Sequence, residues 1–563
     1  MNEINTSFPI QIEQNFIVIR MYKKSVDSYT LLYKSKHGND HGQITSFPNN
    51  NIYTFCIRCT ESDSKYYYYI KCTEVRGKFK TLADSDKIKK NVSFNMLSCI
   101  GHGFNSENFN EFVILPKKKS NFNLLLGDNI YADQYYKSIN SKILQYKPSI
   151  TIEEYNQVYQ QLFFGIEEIR NMIHKSTNII LSDDHEIFDE WNSFYRSFKY
   201  DTTPGTNGFS ELQITSNIIY SGLALSDPSS LAPPPPIPVL SQDDEYLLWS
   251  IESPNYNTTV NNGLLSFKNN LNPSLKYFKF SYGKYIDYFV LNIMSDRTAM
   301  KINDNSQILS IISTEQMHWL LDGLKKSEAK IKFIVTSQAF SDLIIIPRSP
   351  ATPTSIKVTY SQLYNGFVYD PNFYGPLVSL LGAIPTAVAD YENLTDDQKF
   401  RVFGPLVSQL RGAGWMFYDQ SNNIKNLPQT NKQRNQIINF IRNNNICGVI
   451  FLTGDLHSSY VGYIDDLNNN DVFPIIEICS SPAGSPPITP ITEYITDNPN
   501  QKQFMYATAQ KNYLNISTDL AKNKIKIVCS KKDGTQDYIT INLKEYKKLQ
   551  KGHKANPIKV KNK

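Results

Sequence analysis

Residues 449–459, VIFLTGDLHSS, place an aspartate and a histidine two positions apart directly behind an unbroken apolar run. Val449, Ile450, Phe451 and Leu452 have the length and character of a strand buried on both faces, so Asp455 and His457 should stand at its tip. Three further segments repeat the pattern. NFNLLLGDNIYADQ runs from Leu124, Leu125 and Leu126 into Gly127 and Asp128; STNIILSDDHEIFDEW runs from Ile179, Ile180 and Leu181 into Asp183, Asp184, His185 and Glu186; VSFNMLSC ends its apolar segment on Cys99. Sheets sandwiched between other layers bind ligands at the carboxyl ends of their strands, so four such tips can converge on one pocket. A buried group of carboxylates, imidazole and thiol repels itself when ionised, and metal ions are the usual relief. Taken singly, each tip has a plainer reading. Asp128 would end a strand in a Gly-Asp turn, the acids around Asp184 would cap a helix, and His185 and His457 would be structural histidines. The ordered occurrence of GD, DDHE and GDxH, each behind a strand-like run, favours a shared site.

The rest of the composition sets limits. A chain of 563 residues, 40% apolar and 13% aromatic, is a folded protein of two or three units. Its net charge of +5 is small and spread out, so no nucleic-acid partner is expected. KKLQKGHKANPIKVKNK at the C-terminus is the one basic run and reads as a solvated flexible tail over 546–563. MNEINTSFPIQIEQ lacks the basic and apolar regions of a secretory signal, and no apolar stretch reaches the roughly 20 residues of a membrane span. Seven scattered cysteines argue for a reducing compartment, which makes the expected location the cytoplasm, or the exterior by a route that reads no N-terminal signal. Cys56 and Cys59 form a CxxC without a second pair at zinc-ribbon spacing, and read as strand cysteines.

Along the chain, NFIVIRMY, SYTLLYKS, NIYTFCIRC and KYYYYIKCTEV predict a small β-sandwich over residues 1–90. From Val92 to about 545, apolar strands separated by long helical or irregular stretches predict a larger layered domain. STEQMHWLLDGLKKSEAK, with a Ser-Thr-Glu start and apolar residues at helical spacing, predicts an amphipathic helix. SDPSSLAPPPPIPVLSQDD belongs to an insertion at about 200–245 and reads as an exposed polyproline-like loop. A second insertion, about 341–411, contains GPLVSLL and its near copy GPLVSQL.

The set LLLGDNIYAD, LSDDHEIFDEW and FLTGDLHSS resembles the motifs of the PhoD-like alkaline phosphatases, a branch of the calcineurin-like metallophosphoesterases. SFNMLSC, the STEQMHWLLDGLKKSEAKIKFIVTSQ helix and strand, GWMFYDQ with Arg434, and ICSSPAG are similar to further segments of that family, and together they cover roughly residues 92–485. The resemblance implies an α+β protein: an N-terminal Ig/FnIII-like β-sandwich followed by a four-layer α/β/β/α metallophosphoesterase domain. It implies hydrolysis of phosphate monoesters, diesters or both by metal-activated water at a dinuclear or multinuclear site. The implied metals are Fe3+ and Ca2+, with Mn2+, Zn2+ or Mg2+ as alternatives at the second position.

Residue by residue, Cys99, Asp128, Tyr131, Asp184, Asp455 and His457 match metal ligands, with Asp128 bridging and Tyr131 a phenolate on iron. His185 matches the acid that protonates the leaving group, and Arg297 a substrate-binding residue. Asp133, Asp183 and Glu186 are expected to hold the ligands in place without touching metal. The family's Asp-Thr-Arg-Ser-Tyr-Arg pattern is altered here: Asn292 and Met294 replace an acid and a basic residue while Arg297 remains, and His102 is a candidate to compensate. This departure motivates an alternative, a degenerate relative that binds a protein partner and keeps the metal for structure.

Overall fold

Short apolar runs alternating with turn clusters make this a protein of strands. The computed structural model describes residues 6–89, 91–101, 114–117, 120–132, 151–187, 256–297, 310–341, 344–346, 356–358, 415, 433–465, 467, 473–487, 490–497 and 499–562. The N-terminal segment forms β1 (Thr6–Glu13), β2 (Phe16–Tyr22), β3 (Tyr29–Ser35), β4 (His41–Ser46), β5 (Ile52–Arg58), β6 (Lys65–Ile70) and β7 (Arg76–Lys80). Next come β8 (Ser93–Leu97), β9 (Phe122–Leu126), α1 (Ile152–Tyr159), α2 (Glu167–Lys175) and β10 (Thr177–Leu181). The middle of the chain supplies α3 (Tyr256–Asn270), β11 (Phe278–Ser281), β12 (Ile286–Val290), α4 (Thr314–Lys326), β13 (Ile331–Val335) and the small pair β14 (Ile344–Ile346) and β15 (Ile356–Val358). The C-terminal part holds α5 (Gln433–Asn443), β16 (Val449–Thr453), β17 (Ser459–Tyr463), β18 (Ile476–Cys479), α6 (Pro490–Asp497), β19 (Phe504–Thr508), β20 (Asn512–Asp519), β21 (Lys524–Lys531), β22 (Gln536–Asn542), α7 (Leu543–Gln550) and β23 (Ile558–Asn562).

The molecule is mixed α+β with several sheets and few helices. A ten-stranded sheet has the order β23-β22-β21-β20-β8-β9-β10-β1-β2-β5, and a seven-stranded sheet the order β11-β12-β13-β16-β18-β17-β19. Their apolar faces meet in one core, where Phe94, Phe122, Tyr288 and Phe333 interlock edge to face and stacked. β8, β9 and β10 run parallel, as do β12, β13, β16 and β18. Within each sheet the parallel strands therefore end on the same edge. α1, α2 and α3 pack on the outer face of the ten-stranded sheet around Tyr155, Leu162, Phe163 and Phe267. On the seven-stranded sheet, Trp319 of α4 meets the Phe289 ring edge-on.

Two expectations change at the chain ends. The seven N-terminal strands do form facing sheets, β1-β2-β5 against β4-β3-β6-β7, over Ile17, Phe55, Tyr66 and Phe79. Residue 90 does not separate the sheets, however, because β1 continues the large one beside β10 with Ile10 opposite Asn178. The basic run at 546–563 is not a flexible tail. Ile558 and Val560 alternate with Lys559 and Lys561, so the segment buries one face as β23 on the edge of β22 while its lysines reach water. The charges concealed an amphipathic strand. Asp133, His102, the proline-rich loop and most of the 341–411 insertion lie outside the described residues.

A row of buried amides crosses the large sheet. Asn515 Nδ2 donates to Asn95 Oδ1 at 2.9 Å, Asn95 Nδ2 to Asn123 Oδ1 at 2.9 Å, and Asn123 Nδ2 to Asn178 Oδ1 at 3.0 Å, while Asn178 Nδ2 reaches the Pro9 carbonyl at 2.9 Å. Any one-residue slip would put each amide on the opposite face, so the row fixes the register of β20, β8, β9, β10 and β1 together. Replacing Asn123 by Leu strips partners from buried Asn95 and Asn178. Urea unfolding should show a loss of about 2–4 kcal/mol with unchanged m.

Candidate metal centre

Three strand tips, those of β8, β9 and β16, bend abruptly where the candidate ligands begin. Cys99, Asp128, Asp455 and His457 all have positive φ, at 54°, 51°, 72° and 49°. This region is uncommon for side-chain-bearing residues, and for a cysteine especially, and it turns the side chains into the space beyond the strands. Two glycines allow the tips to close up. A Cβ on Gly127 would stand 2.5 Å from Asp183 Cβ, and one on Gly454 would stand 2.7 Å from Ser98 Cβ. The GD pairs are therefore a packing requirement as well as a source of acid.

The side chains converge. Cys99 Sγ lies 3.5 Å from Asp128 Oδ2, and Tyr131 donates its hydroxyl to the same oxygen at 3.1 Å. His457 Nε2 stands 3.3 Å from Tyr131 Oη, and the rings of Tyr131 and His185 lie with centroids 4.0 Å apart. Three donor groups have all their ligand atoms within 4.8 Å of one another: Cys99, Asp128 and His457; Asp128, Asp184 and His185; Asp183, Asp184 and Asp455. Asp128 belongs to the first two, and Asp184 to the second and third.

Such crowding is electrostatically adverse. Burial, then the charge of Asp455, pushes the Cys99 thiol up to about 12. Burial likewise raises Asp128 well above the usual carboxylate range, with His185 pulling the other way. Asp183 is raised by burial and then by Asp455 and Asp184, against Arg297. Tyr131 is raised by burial and by Asp128 and Cys99. All of these shifts favour the neutral forms, and cations among the oxygens would reverse their sense. The donor set fits that role. Asp183 has both carboxylate oxygens buried with no hydrogen-bond partner, in a group with Asp184 and Asp455. Carboxylates suit hard cations, while thiolate, phenolate and imidazole suit a transition metal. Asp183, expected only to support the ligands, thus stands among them.

Other groups hold the tips. The Glu186 carboxylate accepts from the backbone N–H of Asp128 at 3.0 Å, Asn129 at 2.6 Å, Ile130 at 3.3 Å and Asp183 at 2.6 Å, which ties β9 to β10. Ser98 Oγ accepts from the Asp455 N–H at 3.2 Å and donates to the Ser480 carbonyl at 2.8 Å. Ser481 Oγ accepts from the His457 N–H at 3.0 Å and lies 3.2 Å from Cys99 Sγ. Ser485 bonds the Tyr131 hydroxyl. These serines carried no assigned role in the sequence, and only the resemblance of ICSSPAG marked their neighbourhood. Arg297 is not a member of a donor group, though its charge acts on Asp183. Its Nε donates to the Ile293 carbonyl at 2.6 Å and one terminal nitrogen to Gln338 Oε1 at 3.0 Å. Gln316 of α4 grips the backbone of Asn292 in both directions, at 2.9 Å each way, which fixes the loop carrying the altered pattern. Trp415 donates to Thr336 at 3.1 Å, and Arg434 to Asp465 at 2.7 Å.

Comparison with known proteins agrees with this arrangement. The solved structure titled "Structure of PhoD" superposes with a TM-score of 0.58 at 14% identity, covering 96% of this chain and 91% of that one, a likeness of fold. No curated protein sequence matches the chain. The PhoD-like phosphatase profile matches residues 94–213 and 267–527, more than half of the sequence and every strand tip described above. The chain belongs to the PhoD-like phosphatase family.

Proposed function

We propose that the protein hydrolyses phosphate esters, monoesters, diesters or both, at a site holding at least two cations. The observation that carries this reading is the position of Asp128, which belongs at once to a sulfur-containing donor group and to a carboxylate-imidazole group. Cys99, Asp128, Tyr131 and His457 would hold Fe3+; Asp184, with Asp128, Asp183 and Asp455 alongside, would hold Ca2+, or in its place Mn2+, Zn2+ or Mg2+. The expected four-layer α/β/β/α arrangement and N-terminal Ig-like sandwich belong to the same reading, as does a reducing compartment, consistent with seven unpaired cysteines. Among the described residues no helix is long and apolar enough to cross a membrane.

Such cations would activate water and neutralise charge on the phosphoryl oxygens. The protein's own groups do the rest. Glu186, by taking backbone donors from both tips, keeps Asp128 and Asp183 at fixed separation. Ser98 and Ser481 do the same for Asp455 and His457. His185, its ring tilted against that of Tyr131 and its backbone N–H on Asp128 Oδ1 at 3.3 Å, would give a proton to the leaving oxygen. Arg297 supplies positive charge opposite Asp183. Membership of a phosphatase family disfavours the alternative of a binding module with a structural metal.

Purified protein should contain iron and turn over p-nitrophenyl phosphate or its bis ester, with activity lost to chelator and restored by Ca2+ or Mn2+. Protein with neither iron nor another transition metal would refute the reading. His185→Ala should lower kcat by about 10²–10⁴-fold at unchanged metal content, whereas a histidine that is primarily a ligand would lose metal as well. Ser481→Ala should weaken metal binding by about 10–100-fold, measured by competition with a chelator.

A further inference from the structure

The open sheet of the N-terminal region carries a surface that the phosphatase reading does not use. β4, β3, β6 and β7 lie side by side in that order, with one face on the core and the other in water. In register across the outer face, His41 stands beside Lys34, Lys34 beside Tyr67, and Tyr67 beside Lys78. The next row reads Gln43, Leu32, Tyr69 and Arg76. Lys65 and Lys80 pair beyond Tyr67, and Thr45 and Thr30 pair beyond Gln43 and Leu32. No aspartate or glutamate occupies this face. Lys80 is tied to Asp63 at 2.6 Å, but among the described residues Lys34, Lys65, Arg76 and Lys78 make no ion pair.

Tyr67 and Tyr69 are 41% and 47% exposed, on a central strand, although the inward-facing Tyr66 and Tyr68 of the same run are buried. Cross-strand packing accounts for a tyrosine beside a lysine. It does not account for two exposed rings flanked by cations with no acid at any strand position of the face. The rings, two residues apart on a strand, are separated by about 6.7 Å, room for each to take a neighbouring base of an extended strand. Four-stranded antiparallel sheets with aromatic side chains on the open face bind single-stranded nucleic acid in this way, with basic side chains holding the phosphates.

We propose that this face binds single-stranded nucleic acid, with Tyr67 and Tyr69 stacking on bases and Lys34, Lys65, Arg76 and Lys78 meeting phosphates. The overall charge conceals the surface because strand alternation gathers these cations on one side while the acids lie elsewhere. The proposal departs from the expectation of no nucleic-acid partner, which rested on the charge of the whole chain. The proposal is independent of the metal site.

The test is fluorescence anisotropy of the full chain with a labelled oligothymidylate, in chelator so that no hydrolysis intervenes. Saturable binding should weaken with salt, by a logarithmic slope of about −0.7 for each phosphate neutralised. The double substitution Tyr67→Ala, Tyr69→Ala should weaken it at least about tenfold, while Tyr67→Phe, Tyr69→Phe stays close to wild type. Lys34→Ala with Lys78→Ala should flatten the salt slope. Unchanged thermal unfolding would show that the variants are folded, which is expected of exposed positions. Absence of binding, or binding indifferent to the alanine pair, overturns the proposal. So does equal affinity for inorganic polyphosphate or for phosphatidylserine vesicles, which would mark a general anion surface or a membrane contact.

Discussion

Negative charge gathered at the edge of two packed sheets is the constraint to which the catalytic region answers. Asp128, Asp183, Asp184 and Asp455 converge from the ends of three strands with Cys99 and Tyr131 among them; all but the half-buried Asp455 are buried. The chain provides Arg297 and two imidazoles as its own positive or neutral counterweights. These do not satisfy Asp183, whose carboxylate makes no hydrogen bond. The convergence is nonetheless strictly held, because Glu186, Ser98 and Ser481 bind the backbone of the tips. The site is therefore stiff in its main chain and electrostatically incomplete, a combination that suits capture of cations.

Much of this was legible because buried parallel strands announce themselves. Runs such as LLLGD and VIFLTGD are apolar on both faces and can belong only to a covered sheet, and the acids that follow cannot remain within it. Ser481, Ser485 and Ser98 were not legible, since a serine near a cysteine has no periodicity and its partner lies hundreds of residues away, as with Ser98 and Ser480. In isolation DDHE reads as a helix start, and Asp183 was read as a support on the strength of the family resemblance. Its φ of −128° and the Glu186 side chain at its N–H place its own carboxylate in the pocket.

The misread C-terminal run and the tyrosine run of β6 share a cause. A strand with one face in water has only every second residue to declare it, and lysine on the intervening positions masks the signal. At residues 558–562 this concealed a strand inside a basic run; at residues 65–69 it concealed a difference between the two faces of a tyrosine run. Composition averages over faces. Alternation separates them.

The placement of β8 bears on how the molecule is made. It lies between β9, its near neighbour in the chain, and β20, and the Val92 N–H reaches Thr518 across 426 residues. β1 precedes β10 in the chain and must wait for it before it has its parallel neighbour. The large sheet thus stays incomplete, and β8 keeps an unpaired edge, until β20 has been made. Slow, late closure of so non-local a pairing leaves that edge open to other nascent chains, so expression in a heterologous host should depend on chaperones that shield strand edges.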